Sequence, residues 1–387
     1  MQETKTSTAK MLRFVDSDPK KAQFYNTLRK RVDAYFQDNN LSKKGSFAMF
    51  LKSFIFCGGT ILFYALIMSG QFSPPMMLLW AICLGAFAAF VGFNVSHDAI
   101  HGSYSNNTLL NKIMGHSFSL LGANVDVWRV SHNAAHHTYT NIAGHDEDIE
   151  VAPGILRLSE AEKLKGIMRY QHIYAFPLYG LASLSWVFRK DYIKFFKEKI
   201  GQIENRKESG WAYFNLFFFK LLYYVLFIVL PLVFLDITVP QFLFGFLMMH
   251  LTEGLILGLV FQLAHVVEGT DFPNPNQEGN IEENWAIHQM HTTANFARES
   301  AIANYLCGGL NFQIEHHLFP HICHVHYKEI SKIVEATAKE FGVPYIENKT
   351  FWGALQSHYR CLKKFGKEAL EAAQQAAKPQ AQPVELS

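Results

Sequence analysis

The chain has 387 residues, of which 49% are hydrophobic and only 18% charged, and its formal net charge is +2. That near-neutral balance argues against nucleic acid as a partner, since nucleic-acid binders show a large basic excess. Five cysteines, Cys57, Cys83, Cys307, Cys323 and Cys361, form no CxxC pair, so no disulfide framework is expected and a reducing compartment fits.

In chain order, residues 1–46 are polar and rich in Lys and Arg, without the apolar core of a signal peptide. Crossing a bilayer as a helix takes about 20 apolar residues. Four stretches supply them: residues 47–68, 75–95, 211–235 and 239–264. The first two are joined by a short uncharged turn, and the last two by a segment carrying Asp236 between Pro231 and Pro240. The expected fold is therefore all-α and integral to a membrane, with four transmembrane helices in two hairpins and a cytoplasmic helical cap. Lys and Arg decide orientation. They crowd the segments before the first and third spans and are missing from both hairpin turns. Both termini and the long middle region thus read as cytoplasmic. Lys52 and Lys220 lie near span margins and are expected to snorkel. Glu253, inside the fourth span, is costly at that depth; it reads either as a packed, protonated or hydrogen-bonded residue or as one facing a cavity or a partner.

Residues 113–125 are apolar but too short to cross, so an interfacial or re-entrant helix is expected there. Ile330, Val334, Ala338 and Phe341 recur at helical spacing before Gly342, which predicts an amphipathic helix over 327–341. The Ala-, Gln- and Pro-rich tail over 372–387 reads as disordered. The chain thus divides into an N-terminal segment (1–46), a main domain (47–345) and a C-terminal extension (346–387).

Histidine is the outlier of the composition, with 18 residues, many of them clustered. His97-Asp98-Ala99-Ile100-His101 follows the second span; if the helix continues, its two histidines share a face. His132-Asn133-Ala134-Ala135-His136-His137 repeats the spacing and adds an adjacent imidazole. His265 stands alone at the end of the fourth span. Gln313-Ile314-Glu315-His316-His317 places a glutamine before two histidines. Imidazole suits iron, copper, zinc and nickel. Eight histidines exceed the demand of one metal and give two metals about four each, leaving room for water or dioxygen. The constellation holds no thiolate, which argues against a structural zinc knuckle. Its carboxylates are not arranged as the paired Glu-x-x-His of soluble di-iron bundles, and no HExxH motif supports a zinc hydrolase. A histidine-rich di-iron centre uses every part. A lone HxxxH arises by chance in helices, whereas the three boxes on one side of the membrane are specific. His250 and His358 read as packed or solvated residues. His288, His291, His321, His324 and His326 crowd the third box as supporting partners or surface residues. A non-enzymatic metal-binding membrane protein would instead place its ligands at the bilayer midplane or along a pore.

HDAIH, HNAAHH and QIEHH, with the hairpin layout, resemble the membrane fatty acid desaturase superfamily. The resemblance runs from the first span past Tyr327 and includes Trp128-Arg129, Asn311-Phe312 and Leu318-Phe319-Pro320 beside the boxes. The chain is most similar in kind to bacterial acyl desaturases of the linoleoyl-CoA-desaturase-like and front-end type, which carry Gln at the first position of the third box, as at Gln313. The resemblance implies dioxygen-dependent desaturation of a fatty acyl chain, presented as acyl-CoA or acyl-lipid. It implies two iron ions held by His97, His101, His132, His136, His137, His265, His316 and His317, with Gln313 in an auxiliary or water-mediated place. Dioxygen is then a co-substrate, and the bacterial inner membrane is the expected location. Many eukaryotic front-end enzymes carry a fused haem domain with a His-Pro-Gly-Gly motif; this chain shows none. Electrons are thus expected from a separate protein, ferredoxin-type or haem. A hydroxylase or ketolase of the same superfamily would share the boxes.

Overall fold

A computed structural model of the protein describes residues 12–16, 18–149, 152–160, 162–207 and 210–376. Among the described residues, four helices are long and apolar enough to cross a membrane: Phe47–Met68, Pro74–Ile100, Gly210–Phe234 and Val239–His265. They fall on the four expected stretches and are called the first to fourth apolar helices below. Prolines sit in the first turns of the second and fourth, where a missing N–H costs nothing. Thr238 and Gln241 cap the fourth reciprocally. Large side chains such as Phe47, Phe54, Ile61, Trp211, Leu221 and Phe234 stand exposed on the outer faces, a surface suited to lipid rather than water. The second and fourth helices touch backbone to backbone at Gly85, where a Cβ would collide with the Met249 carbonyl.

Two lysines depart from expectation. Lys52 and Lys220 do not reach for the interface; both are buried. The Lys220 ammonium donates to the carbonyls of Gly122, Trp186 and Val187 and to Asp191 Oδ2 at 2.8 Å. The Lys52 ammonium lies 2.9 Å from His324 Nε2. Hydropathy reports depth along a helix, whereas these side chains answer to what packs beside them.

The polar regions fold over the histidine-bearing ends. The helix Phe24–Asp38 buries Phe24, Leu28, Val32 and Phe36 against Tyr327–Phe341 through Ile330, Val334 and Ala338. Tyr327–Phe341 is the amphipathic helix read from the sequence, and Gly342 ends it in the left-handed region at φ 65°. In place of one interfacial helix over 113–125 there are two short ones, Thr108–Gly115 and Ser117–Leu120, with Leu109, Ile113 and Leu120 exposed. Two parallel two-residue bridges, Arg13–Phe14 with Asn280–Ile281 and Asn295–Phe296 with Glu347–Asn348, tie the loops together. Helix Phe351–Lys363 packs Ala354 and Leu362 into the core. A last helix, Ala369–Ala376, runs into the segment expected to be disordered, while 377–387 lie outside the described residues.

Candidate metal centre

The first box sits where the second apolar helix ends. Its ladder widens to a π turn over Gly92–Ser96 and resumes as His97–Ile100. The helix does continue, and the rings of His97 and His101 meet with centroids 4.7 Å apart.

The second box needs a different local device. In an α-helix, residues five apart point about 140° away from each other, so His137 would turn its back on His132. Instead Arg129–His136 forms a π turn, whose wider ring of i→i+5 bonds narrows that angle. His132 then faces both His136 and His137, with centroids 5.1 and 4.8 Å away.

The third box is the short helix Gln313–Leu318, buried throughout. It is too short to hold its own position. Glu315 fixes it by accepting from Asn295 Nδ2 at 2.7 Å and the Tyr345 hydroxyl at 2.8 Å. Asn295 Oδ1 accepts in turn from the Ile314 N–H at 3.0 Å.

The three boxes and His265 converge. Ring nitrogens of His97, His101, His132 and His316 lie within 4.8 Å of one another, and those of His136, His265 and His317 form a second group on the same criterion. His137 stands between the groups, with ring centroids 4.6 Å from His316 and 4.4 Å from His317. All eight histidines singled out from the sequence are therefore brought together, and all are buried. The Gln313 amide joins the smaller group, its Nε2 3.0 Å from His265 Nε2 and 3.3 Å from His317 Nε2.

Outer partners set which nitrogen faces inward. The His136 Nδ1–H donates to Asp146 at 2.9 Å and that of His132 to Asp148 at 3.2 Å. His317 Nδ1 donates to Gln289 Oε1 at 2.7 Å, and His265 Nδ1 to the Thr292 carbonyl at 3.3 Å. His316 Nδ1 donates to the Tyr327 hydroxyl oxygen at 3.3 Å. With Nδ1 protonated and held, each Nε2 keeps its lone pair for the interior, the usual orienting arrangement around metal-ligating histidines. Asp146 is itself fixed by the backbone N–H groups of Asn141 and Asp148, both at 2.9 Å. Burial and the neighbouring rings hold His101, His132, His137, His316 and His317 well below the ordinary imidazole range, so they are neutral. Burial pulls His136 the same way, but Asp146 and Asp148 outweigh it and leave that ring above its usual value.

These residues suit a metal on a second ground. His97 Nδ1 and Nε2, His101 Nε2, His137 Nδ1, His316 Nε2 and Gln313 Oε1 are buried with no hydrogen-bond partner among the described residues. Buried polar atoms are nearly always paired, and orphaned atoms gathered on clustered imidazoles fit a candidate metal site.

Sequence reasoning missed the outer partners Asp146, Asp148, Gln289, Thr292 and Tyr327. Only the acidic run His145-Asp146-Glu147-Asp148, shortly after the second box, offered a signal. The extra histidines all have partners. His288 Nε2 donates to the Thr140 carbonyl at 2.9 Å, His291 Nδ1 to Glu283 at 2.8 Å, His321 Nδ1 to the His101 carbonyl at 3.1 Å and His326 Nε2 to the Lys44 carbonyl at 3.2 Å. His324 Nδ1 donates to Asp98 at 2.8 Å, and Asp98 also accepts from Cys323 Sγ at 3.0 Å. That buried knot, with Lys52 behind it, pins the first box to the chain after the third.

Comparison with known proteins agrees with this geometry. The chain matches the family model described as fatty acid desaturase over residues 72–349. It is 39% identical over 352 residues to the acyl-lipid (8-3)-desaturase of Physcomitrium patens, an alignment covering 90% of this chain and 73% of that relative. Against the sn-1 linoleoyl-lipid 6-desaturase of Synechocystis sp. it is 37% identical over 361 residues, covering 93% of this chain and 99% of the relative. The protein of the same name from Arthrospira platensis is 35% identical over 341 residues, covering 88% and 92%. With a matching family model across the histidine boxes and relatives this similar along nearly their whole length, the chain belongs to the fatty acid desaturase family.

Proposed function

We propose that this desaturase holds two iron ions and inserts a double bond into an acyl chain carried on a membrane lipid, at position 6 of a linoleoyl-type chain. The observation that carries the reading is the pair of imidazole groups with His137 between them. His97, His101, His132 and His316 would hold one iron. His136, His265 and His317 would hold the other, with Gln313 beside it directly or through a water and His137 within reach of both. The names of the relatives from Synechocystis and Arthrospira, matched over nearly their whole length, support the lipid carrier and the position.

Bound there, a di-iron centre supplies the oxidising power of dioxygen that removes two hydrogens from neighbouring methylenes, with electrons from a separate ferredoxin-type or haem protein. The protein's own residues do the rest. Asp146, Asp148, Gln289 and Thr292 hold Nδ1 protons, so the Nε2 lone pairs stay aimed inward without rearrangement. A methylene chain offers no polar handle, so its register must come from shape. Trp186, Leu257 and Phe261 wall a chamber that opens on His136 and His265. Lys190 borders both this chamber and an outer cleft of about 600 Å³ lined by Arg189, Lys194 and Lys197, a place for the lipid head group.

We further infer that the apolar helices cross the bilayer as two hairpins, with the histidine end, both termini and the covering helices on the cytoplasmic side of a bacterial inner membrane. The Lys- and Arg-free turns at 69–73 and 235–238 support this. Residues 47–345 then form the catalytic part, and 1–46 and 346–387 flank it. A hydroxylase or ketolase would use the same groups and differ in product. The test is expression in a host lacking polyunsaturated lipids, with mass spectrometry of the fed chains. Loss of two hydrogens at position 6 is expected; gain of an oxygen would overturn the desaturase assignment.

A further inference from the structure

The intramembrane Glu253 has no part in the metal centre, yet it lies at the end of a line of voids that starts there. The chamber beside His136 and His265 is about 70 Å³ and is walled by Trp186, Leu257 and Phe261. The same three residues line a small void of about 10 Å³ against His97. Gly92, Trp186 and Leu257 are shared with a third void, also about 10 Å³, that closes on Ala88, Ser183 and Glu253. Beyond the chamber at its head, which His136, His265, Asp148, Lys190 and Gln262 also border, the walls named along the way are apolar but for His97, and the floor is polar.

That floor is a bonded cluster. Glu253 Oε2 lies 3.5 Å from His250 Nδ1, which is also 2.7 Å from the Ser183 hydroxyl. His250 Nε2 is 2.8 Å from the Tyr223 hydroxyl. Side chains from the third helix, the fourth helix and the 182–185 segment are thus tied together. Immediately beyond, the Phe246 ring packs on His250 with centroids 4.5 Å apart. Phe246 and Met249 then line a second, apolar cavity of about 320 Å³ among the far ends of the apolar helices. The polar cluster separates two apolar spaces.

We propose that Glu253, braced by His250, is the floor of the acyl channel and sets the longest tail accepted beyond the new double bond. The inference rests on the acyl-desaturase reading above. A methyl end gains nothing from meeting a carboxyl group, because it cannot hydrogen-bond. A longer chain would have to break interlocked polar contacts, whereas a floor of methionine or leucine would yield to it. The lengths agree. At 1.5 Å per residue, Glu253 lies about 18 Å along the helix from His265, and Ala88 about 14 Å from His97. The twelve carbons beyond position 6 of an eighteen-carbon chain extend about 15 Å, given C–C bonds near 1.5 Å in a zigzag. Specificity for tail length then lies with the partition, and the cavity beyond it is reserve space.

The test uses the full chain in the same expression host, fed acyl chains from sixteen to twenty-two carbons in two-carbon steps. Wild type should show a sharp upper cutoff. Glu253→Ala deepens the void at its floor and should raise the cutoff by at least one step, with the double bond still at the same position. Glu253→Gln keeps the bulk and the bonding and should keep the cutoff. Ala88→Leu fills the channel above the floor and should lower the cutoff by a step; it leaves the polar cluster intact, so it decides the matter if Glu253→Ala fails to accumulate. An unchanged cutoff in Ala88→Leu, or in a Glu253→Ala protein that accumulates, overturns the proposal. Wild type yielding no desaturated product at all would instead refute the function on which it rests.

Discussion

The two imidazole groups differ in how they are held. The group of His97, His101, His132 and His316 has four rings; among the described residues only His132 and His316 have an outer acceptor within hydrogen-bond distance, at 3.2 and 3.3 Å, while Asp98 lies 3.9 Å from His97 Nδ1. The group of His136, His265 and His317 has three rings and the Gln313 amide, and each ring has an outer acceptor, at 2.9, 3.3 and 2.7 Å. Where a weaker amide replaces a fourth imidazole, the surrounding bonds are more complete. The difference teaches that a metal site can be stiffened either by ligand number or by what stands behind the ligands.

The severest way to break this comparison is to remove the ring that stands between the groups. His137→Ala should deplete iron from both and abolish product, while the protein still inserts and accumulates. His316→Ala should strip mainly the four-ring group, and its iron loss should be smaller though its activity is also abolished. Metal analysis of the purified variants beside the product assay reads both outcomes. Near-normal product from either variant would remove these residues from the centre.

Next in size are the carboxylates behind the rings. Asp146→Asn keeps the shape but loses the charge that holds His136, and should cost about 10–100-fold in iron affinity or activity. Asp148 is longer-bonded and its side chain is 28% exposed, so Asp148→Asn should cost clearly less. An Asp148→Asn protein as impaired as Asp146→Asn would contradict the argument from burial. Smaller again is Gln313→Ala, expected to retain much of its iron and lose about tenfold in rate, the lower end for a supporting group. Iron loss as complete as in His316→Ala would instead make Gln313 a full ligand.

The parts legible in the sequence were those that depend on spacing along one element. The apolar stretches, the amphipathic helix ending at Gly342 and the box histidines all follow from period and composition. What depends on contact across the fold was not legible. The turn that brings His137 to the same side as His132 is a π turn, which the spacing of HNAAHH does not announce. Asp146, Gln289 and Tyr327 reach their rings from loops and helices placed by tertiary packing. Lys52 and Lys220 look like margin residues in a hydropathy profile, and only their buried neighbours show that they are structural ties.

The smallest expected effect on chemistry belongs to His358, which the sequence offered as a packed or solvated residue. It is packed: fully buried, it donates from Nδ1 to the Val266 carbonyl at 2.7 Å and accepts at Nε2 from the Tyr179 hydroxyl at 2.9 Å. Burial lowers its pKa to about 4, so the ring is neutral and its single N–H is committed to Val266. His358→Ala leaves two buried groups unpaired, each costing about 1–3 kcal/mol. Thermal stability should therefore fall while the activity of each iron-loaded molecule stays as in wild type. His358→Gln, whose amide can both donate and accept, should recover part of the stability. Because Val266 directly follows His265, the opposite outcome has a clear meaning: if activity per bound iron falls in His358→Ala and returns in His358→Gln, then His358 steadies a ligand of the three-ring group, and the support behind that group extends one residue further than its direct hydrogen bonds.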